Sequence, residues 1–355
     1  MQDERFNRLI KQDTTPPESV LKLLEQTCIG TNGTLYQLLD TREKIQRLDT
    51  PHFIYIERNQ KAIGTVTLCA RDISLNQTLF SALYVRYFAF DQRFKRSEEK
   101  SRGQSYFHRY FQSLFDTSNF NPQQAKYEKQ LYWAFIDPDN ARSFNMNEHF
   151  GFRTIGSFKT KAFSRVNPKK RNVERLKKED EEGVLLAIQH FYRMFNFFSP
   201  IHLFEENNYF VLRHQGEIVC GIQANPVHWR IKNLPGLMGK FMLKYASSIP
   251  RIRKLINPSN HRFLATEGLF WKDGFEHLIA ELLEGVLAET KHHSLLIWTD
   301  TQNNMLGQLP IKWGFIQQMK TDNEVRIVAK FNSFNEEEIE QIIQQPKYLS
   351  GFDMT

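Results

Sequence analysis

One stretch of the chain is written twice. Residues 295–303 (LLIWTDTQN) follow the pattern of 132–140 (YWAFIDPDN) at a constant offset of 163, and in that frame Asp137 falls on Asp300, Asn140 on Asn303, Gly151 on Gly314 and Phe152 on Phe315. Four matches without a gap, each in an expected strand–helix–strand context, predict two copies of one fold. A period this long describes tandem domains, not a solenoid. The 355 residues suffice for two ordinary domains.

Composition narrows the chemistry. With 41% hydrophobic and 25% charged residues the chain has the make-up of an ordinary folded protein, not a disordered one. No apolar run approaches the roughly 20 residues of a membrane span. The opening MQDERFNRLIKQ is charged from residue 3 and has no apolar core, so a secretory signal is not expected. Cys28, Cys69 and Cys220 are too far apart for a disulfide framework, which fits a reducing cytoplasm. The net charge of +7 favours an anionic ligand or surface. The chain contains no GxxxxGK[ST], HExxH, GxSxG or CxxC. His292 and His293 are adjacent, so their side chains diverge, and no metal is expected.

Periodicity places the elements. A strand is expected over Glu4–Ile10, then a helix capped by Ser19 with Val20, Leu23 and Leu24 on its apolar stripe, and a second helix over Leu35–Leu48. Residues 51–72 alternate around 58–61 as a hairpin, and Leu83–Phe90 reads as a strand. Phe107, Tyr110, Phe111, Leu114 and Phe115 keep the spacing of a helix buried on one face. A strand at Leu131–Ile136 turns through Asp137–Asn140 into a helix that stops at Gly151, and the last strands of the first copy run through Thr154–Arg165. Residues 159–178, dense in Lys and Arg around Pro168, read as a solvated linker. A second hairpin at 209–226 sets Gly221 like Gly64.

Two segments carry chemistry. Lys100-Ser101-Arg102-Gly103-Gln104-Ser105 lies between a strand and a helix, where unpaired amides and the helix dipole favour an anion. Gly103 allows close backbone approach, and Lys100 and Arg102 add countercharge. A polar loop before any helix shares these features. The second segment, Asn140 to Phe152, opens a helix with Asn and closes it with Gly, which capping alone also explains.

In this order the two segments resemble the GCN5-related N-acetyltransferase (GNAT) superfamily, whose loop reads [Arg/Gln]-x-x-Gly-x-[Gly/Ala] and whose later helix reads Asn-x-x-Ala-x-x-Leu-Tyr-Glu-x-x-Gly-Phe. Here the loop is Lys100-x-x-Gly103-x-Ser105. The helix matches at Asn140, Glu148, Gly151 and Phe152, with Ser143 for Ala and Met146 for Leu. The likeness covers residues 1–165 and, more loosely, 173–331. It implies an α/β (α+β) fold of two tandem acyl-CoA N-acyltransferase-like domains, each a mixed, mostly antiparallel sheet with a V-shaped splay flanked by helices. The expected division is a coenzyme-binding domain at 1–165, a basic linker at 166–178, a degenerate second domain at 179–334 with a basic insert at 226–262, and a C-terminal helix and tail at 335–355.

The resemblance also implies an activity: acetyl transfer from acetyl-CoA to an amine by direct attack, with acyl-CoA and an unidentified amine acceptor as partners. It would place the coenzyme along Phe88, Ala89 and Phe90, on the amides from Lys100 to Ser105, and beside Asn140 and Ser143. The Tyr that serves many members as acid is replaced by Asn147, which cannot give up a proton at useful pH. Glu57, Asp91 and His108 are the candidate bases, with an ordered water as the alternative. In the second copy the equivalent turn, Phe270 to Glu276, carries Asp273 and Glu276, which would repel a pyrophosphate. Between Ile218 and Thr266 there is no Asp or Glu, and the insert mixes Leu237, Met238, Phe241 and Met242 with Lys and Arg at helical spacing. It reads as a helix packed on the sheet with a solvated basic face or, alternatively, as a surface for an acidic ligand or a membrane. Two other functions fit the same fold: a non-catalytic ligand-binding or scaffold protein, and an aminoacyl-tRNA-dependent peptide-bond former. Apart from the latter's tRNA, nucleic acid is not expected as a partner.

Overall fold

The structure of the protein is a computed structural model that describes residues 10–30, 33–75, 78–91, 104–116, 127–303, 305–319 and 324–355; at 74, 75, 78, 79, 104–109 and 142 it describes the backbone alone. The chain divides into two units. Unit 1 takes Met1–Ile29, Gln37–Ile155 and Arg326–Ile343, and unit 2 takes Gly30–Tyr36, Gly156–Val325 and Gln344–Thr355.

In unit 1, β1 (Ile10–Asp13) leads to α1 (Glu18–Gln26). The helix starts at Glu18 after Pro17, whose extended backbone sets the entry. Ser19 is therefore not its cap, and the Ser19 hydroxyl donates to Glu57 Oε1 at 3.1 Å instead. The stretch expected as one helix over Leu35–Leu48 divides into β2 (Leu35–Leu38) and α2 (Thr41–Gln46), because so short an apolar run fits either period. The hairpin β3 (Pro51–Arg58) and β4 (Lys61–Leu75) is followed by β5 (Thr78–Phe90), α3 (Gln104–Asp116), β6 (Gln130–Ile136) and α4 (Ala141–His149). The expected strand over Glu4–Ile10 lies outside the described residues except for Ile10.

The second half begins with β7 (Arg153–Ser164), β8 (Val173–Arg175) and α5 (Glu181–Phe191). The hairpin β9 (Tyr209–His214) and β10 (Glu217–Asn233) precedes α6 (Gly236–Tyr245), α7 (Pro250–Leu255) and β11 (His261–Trp271). The chain then forms α8 (Ile279–Thr290), β12 (Ser294–Asp300), α9 (Phe315–Met319), β13 (Val325–Asn332) and α10 (Glu336–Gln344). Residues 166–178, read as a solvated linker, contain β8, which pairs with β9 from Val173↔Leu212 to Arg175↔Phe210. Among the described residues no helix is long and apolar enough to cross a membrane.

The strands of the two units follow one plan. Unit 1 runs β1-β3-β4-β5-β6-β13, and unit 2 runs β8-β9-β10-β11-β12-β7. In both, the fourth and fifth strands are parallel while the other pairs are antiparallel. The last strand of each comes from the other half of the sequence. Arg326–Asn332 of β13 pairs with β6 in unit 1, and Phe158–Ser164 of β7 pairs with β12 in unit 2. The strand expected to finish the first copy thus completes the second unit's sheet.

Burial follows the apolar spacing. In unit 1, α3 sets Phe111, Leu114 and Phe115 against Leu83, Tyr132, Phe150 and Phe152. In unit 2, α8 buries Ile279, Leu282, Leu283, Val286 and Leu287 completely, each such side chain contributing about 1.5–3 kcal/mol. The repeat is weaker in its helix than in its strand. Where α4 follows β6, the described residues after β12 form a 3-10 turn, Met305–Gly307, and Phe315 begins a short helix instead of a strand. Gly151 and Gly314 keep the same left-handed backbone, with φ of 81° and 99°.

Candidate functional site

The site is built on the end of β5. Its ladder with β4 runs to Thr67↔Arg86 and resumes at Thr65↔Ala89, so Tyr87 and Phe88 together face Val66. This is a β-bulge, and Tyr87 sits at φ 52°, a conformation that costs a non-glycine residue on the order of 1 kcal/mol. On the other edge, β5 pairs with β6 only from Ser81↔Gln130 to Tyr84↔Trp133. Beyond that pair β5 continues to Phe90 and β6 to Ile136 without sharing a ladder, and the strands part.

Aromatic rings line the parting. Tyr84 stacks on Trp133 with centroids 4.4 Å apart, and Phe135 lies 5.1 Å from Trp133. Towards α3, Phe88 meets Phe90 at 5.1 Å and Phe111 at 5.9 Å. Ala89 is buried between them in sequence. The expected coenzyme residues on β5 therefore stand together at its diverging end. Lys100, Ser101, Arg102 and Gly103 lie outside the described residues. Gln104 and Ser105 begin α3, and their side chains, like that of His108, lie outside the description as well.

At the end of β6, Asn140 and Ser143 open α4. Asn140 Oδ1 accepts the Ser143 backbone N–H at 3.1 Å, a true N-cap. Gly151 ends the segment: the Phe152 N–H donates to the Asn147 carbonyl at 2.9 Å and the Gly151 N–H to that of Glu148 at 3.0 Å, in a left-handed stop. Asn147 folds back on its own helix, its amide donating to the Ser143 carbonyl at 2.7 Å.

The candidate bases are not gathered in one place. Glu57 sits on β3, two strands from β6's partner β5, where it pairs with Lys11 and accepts from Ser19. The Lys11 ammonium holds its carboxyl below the usual range, which makes it a weak base. Asp91 follows β5 directly, and its N–H donates to the Ile63 carbonyl at 3.0 Å. Sequence reasoning did not single out Tyr87. Its hydroxyl is buried, and the Arg86 guanidinium lies 4.7 Å from its ring. Burial raises its pKa, so it stays protonated. Nothing in the unbroken run LYVRYFAF signals a bulge.

Unit 2 repeats this geometry and then fills it. The β11–β12 ladder spans only Leu264↔Leu295 and Ala265↔Leu296, and a bulge at Gly268, with φ 59°, faces Ile222. Measured from the two bulges, Gly64 corresponds to Cys220 and Thr65 to Gly221, one position from the expected match. The opening is taken by the chain's own residues. Tyr348 Oη accepts the Gly268 N–H at 3.1 Å, the Lys347 N–H donates to Asp300 Oδ2 at 3.0 Å, and Gly351 packs on Thr266. A cavity of about 30 Å³ remains between Thr266–Leu269, Ile297–Asp300 and Lys347–Leu349. The turn before α8 is acidic as expected, Glu276 accepting the Gly274 N–H at 3.2 Å.

The fold as a whole has counterparts among solved structures. Two structures of Saccharomyces cerevisiae N-myristoyltransferase, one with bound myristoyl-CoA and one with myristoyl-CoA and inhibitors, superpose with a TM-score of 0.56. They are 11% and 12% identical to this chain, and the alignments cover 92% and 91% of it and 83% and 80% of theirs. The chain has the fold of these N-myristoyltransferase structures. A GCN5-related N-acetyltransferase from Sphaerobacter thermophilus aligns more loosely, with a TM-score of 0.48, 8% identity and coverage of 91% of this chain and 95% of its own. No family model and no curated protein matches the sequence itself.

Proposed function

We propose that the chain is an acyl-CoA-dependent N-acyltransferase that uses unit 1 to move an acetyl group from acetyl-CoA to an amine. One observation carries this reading: past Tyr84 and Trp133 the bulged end of β5 leaves its parallel neighbour, and α3 is the next described element of the chain. Strand edges freed in this way offer main-chain groups to a pantetheine arm, and the amides at the start of a helix suit a pyrophosphate. Phe88, Ala89 and Phe90 would flank the arm, Lys100 to Ser105 would hold the phosphates, and Asn140 and Ser143 would stand at the end of β6. The plugged opening in unit 2 supports assigning the coenzyme to unit 1.

The packing of Tyr84 and Trp133, 5% and 4% exposed, supports a short acyl group, since a long chain entering there would have to displace both rings. In the transfer, the amine nitrogen attacks the thioester carbonyl, the C–S bond breaks and the sulfur leaves as thiolate while the amine gives up a proton. Asn147 cannot supply a proton to the thiolate. Tyr87, protonated and at the bulge, is the side chain we assign to that step, with water as the alternative.

Calorimetric titration of the full chain with acetyl-CoA tests the reading. Binding is expected, weakened at least about tenfold by Gly103→Trp, which fills the space a phosphate would need. Absence of binding, or an unchanged affinity in the variant, removes the assignment. Much tighter binding of myristoyl-CoA would keep the class and replace the acyl group.

A further inference from the structure

The segment α6–α7 in unit 2 carries two faces that need different partners, and the structure supplies only one. Met242, Ala246, Leu255 and Ile256 are buried with Ile231 of β10, and Leu234, Leu243, Ile252 and Ile316 pack around them. At 100° per residue, Gly239, Met242, Leu243 and Ala246 fall on that inward side of α6. Leu237, Phe241, Tyr245 and Met238 fall within a sector of about 100° on the outward side. Leu237 is 86% exposed, Met238 60% and Phe241 46%, and Ile249 beyond the helix is exposed too. Soluble surfaces carry such residues singly. Four on one helical stripe mark a contact surface.

The charge around the stripe selects the contact. Lys240 and Lys244 project beside it, and Lys232, Arg251, Arg253 and Lys254 are exposed nearby. Among the described residues, Lys240, Lys244, Arg251 and Arg253 have no carboxylate within 4.0 Å, and the chain places no Asp or Glu between Ile218 and Thr266. Phe241 and Tyr245 lie 5.0 Å apart, and the Lys244 ammonium is 5.1 Å from the Tyr245 ring, so the cations ride at the border of the apolar stripe. The stripe lies on the outward side of a helix. Apolar side chains that can sink between headgroups, bordered by cations that stay at their level, fit a bilayer interface better than a folded protein.

We propose that α6–α7 docks on an anionic phospholipid surface, with Leu237, Met238 and Phe241 entering the interface and Lys240, Lys244, Arg251 and Arg253 on the headgroups. The site is independent of the acyl-transfer reading. The test is co-sedimentation of the full chain with vesicles of phosphatidylcholine alone or mixed with phosphatidylserine, at low and high salt. Binding is expected to the mixed vesicles only and to weaken as salt rises. Lys240→Glu with Lys244→Glu should weaken it about thirty-fold or more, and Leu237→Ser with Phe241→Ser should do so without altering the circular dichroism melt. Failure of the wild type to bind at low salt, or binding by either pair of variants as tight as the wild type's, overturns the proposal. It is also overturned if the chain dimerises in solution, the Leu237/Phe241 variant is monomeric and neither binds vesicles, since the stripe is then an interface between copies.

Discussion

Tyr84 and Trp133 are the last residue pair that β5 and β6 share, and their rings stack with 28° between the planes. Trp133 thus reports on the point where the strands part. Of the five tryptophans, the other four, Trp229, Trp271, Trp298 and Trp313, belong to unit 2. Acetyl-CoA added to the full chain should therefore change the tryptophan emission, and Trp133→Phe should abolish most of the change. A response that survives the substitution would move the ligand to unit 2.

Tyr87 offers a sharper test of the chemistry. If its hydroxyl protonates the leaving thiolate, Tyr87→Phe should lower kcat roughly ten- to a hundredfold while leaving KM for the coenzyme near its original value. A loss confined to KM would make Tyr87 a packing residue of the bulge.

The His292 imidazole is buried, and this pushes its pKa down to about 4, with Arg262, His228 and His293 acting in the same direction. Its Nδ1 lies 2.9 Å from the Thr290 carbonyl. In the unfolded chain it titrates near 6.5. Between these values the unfolded state holds a proton that the folded state refuses, so stability is full above pH 6.5 and falls as the pH drops towards 4. Urea unfolding across that range should show a shallower decline for His292→Leu than for the wild type, at a cost near neutrality of about 1 kcal/mol for the lost hydrogen bond.

Lys347 is 1% exposed in the filled opening of unit 2, and burial lowers its pKa to about 8 against the pull of Asp300. Here the folded state gives up its proton first. The wild type should gain stability as the pH rises from about 8 towards 10.5, by on the order of 3 kcal/mol. Lys347→Met should lack that gain. Equal slopes in the two proteins would mean that water reaches the ammonium.

The parts of this fold that a sequence can announce are those with local causes. The 51–72 hairpin and the one-sided aromatic spacing of 107–115 give β3, β4 and α3, and the Asn140 and Gly151 caps bound α4. What stayed hidden depends on distant partners. Thr154–Arg165 reads as a strand, but nothing in it says that its neighbour is β12 and not β6. The bulge at Tyr87 arises from a register shift against Thr65–Thr67, and no residue between Leu83 and Phe90 breaks the pattern. In β11 the corresponding position is Gly268, where a glycine inside an apolar strand does signal it. For the site, Phe88–Phe90 lie at the end of β5 beyond its ladder with β6, and Asn140 caps α4. The choice of base rests on surroundings that periodicity does not encode, such as the Lys11 ammonium against Glu57.

Residues 326–332 add to unit 1 the strand that pairs with β6, while the unit's other strands come from the first 155 residues. During synthesis, β6 must wait with its outer edge bare until nearly the whole polypeptide has emerged, an interval in which unpaired strands invite misassembly. The same arrangement forbids a simple dissection. A protein ended at residue 165 would lack its own final strand and carry, unsatisfied, the one that belongs to its neighbour.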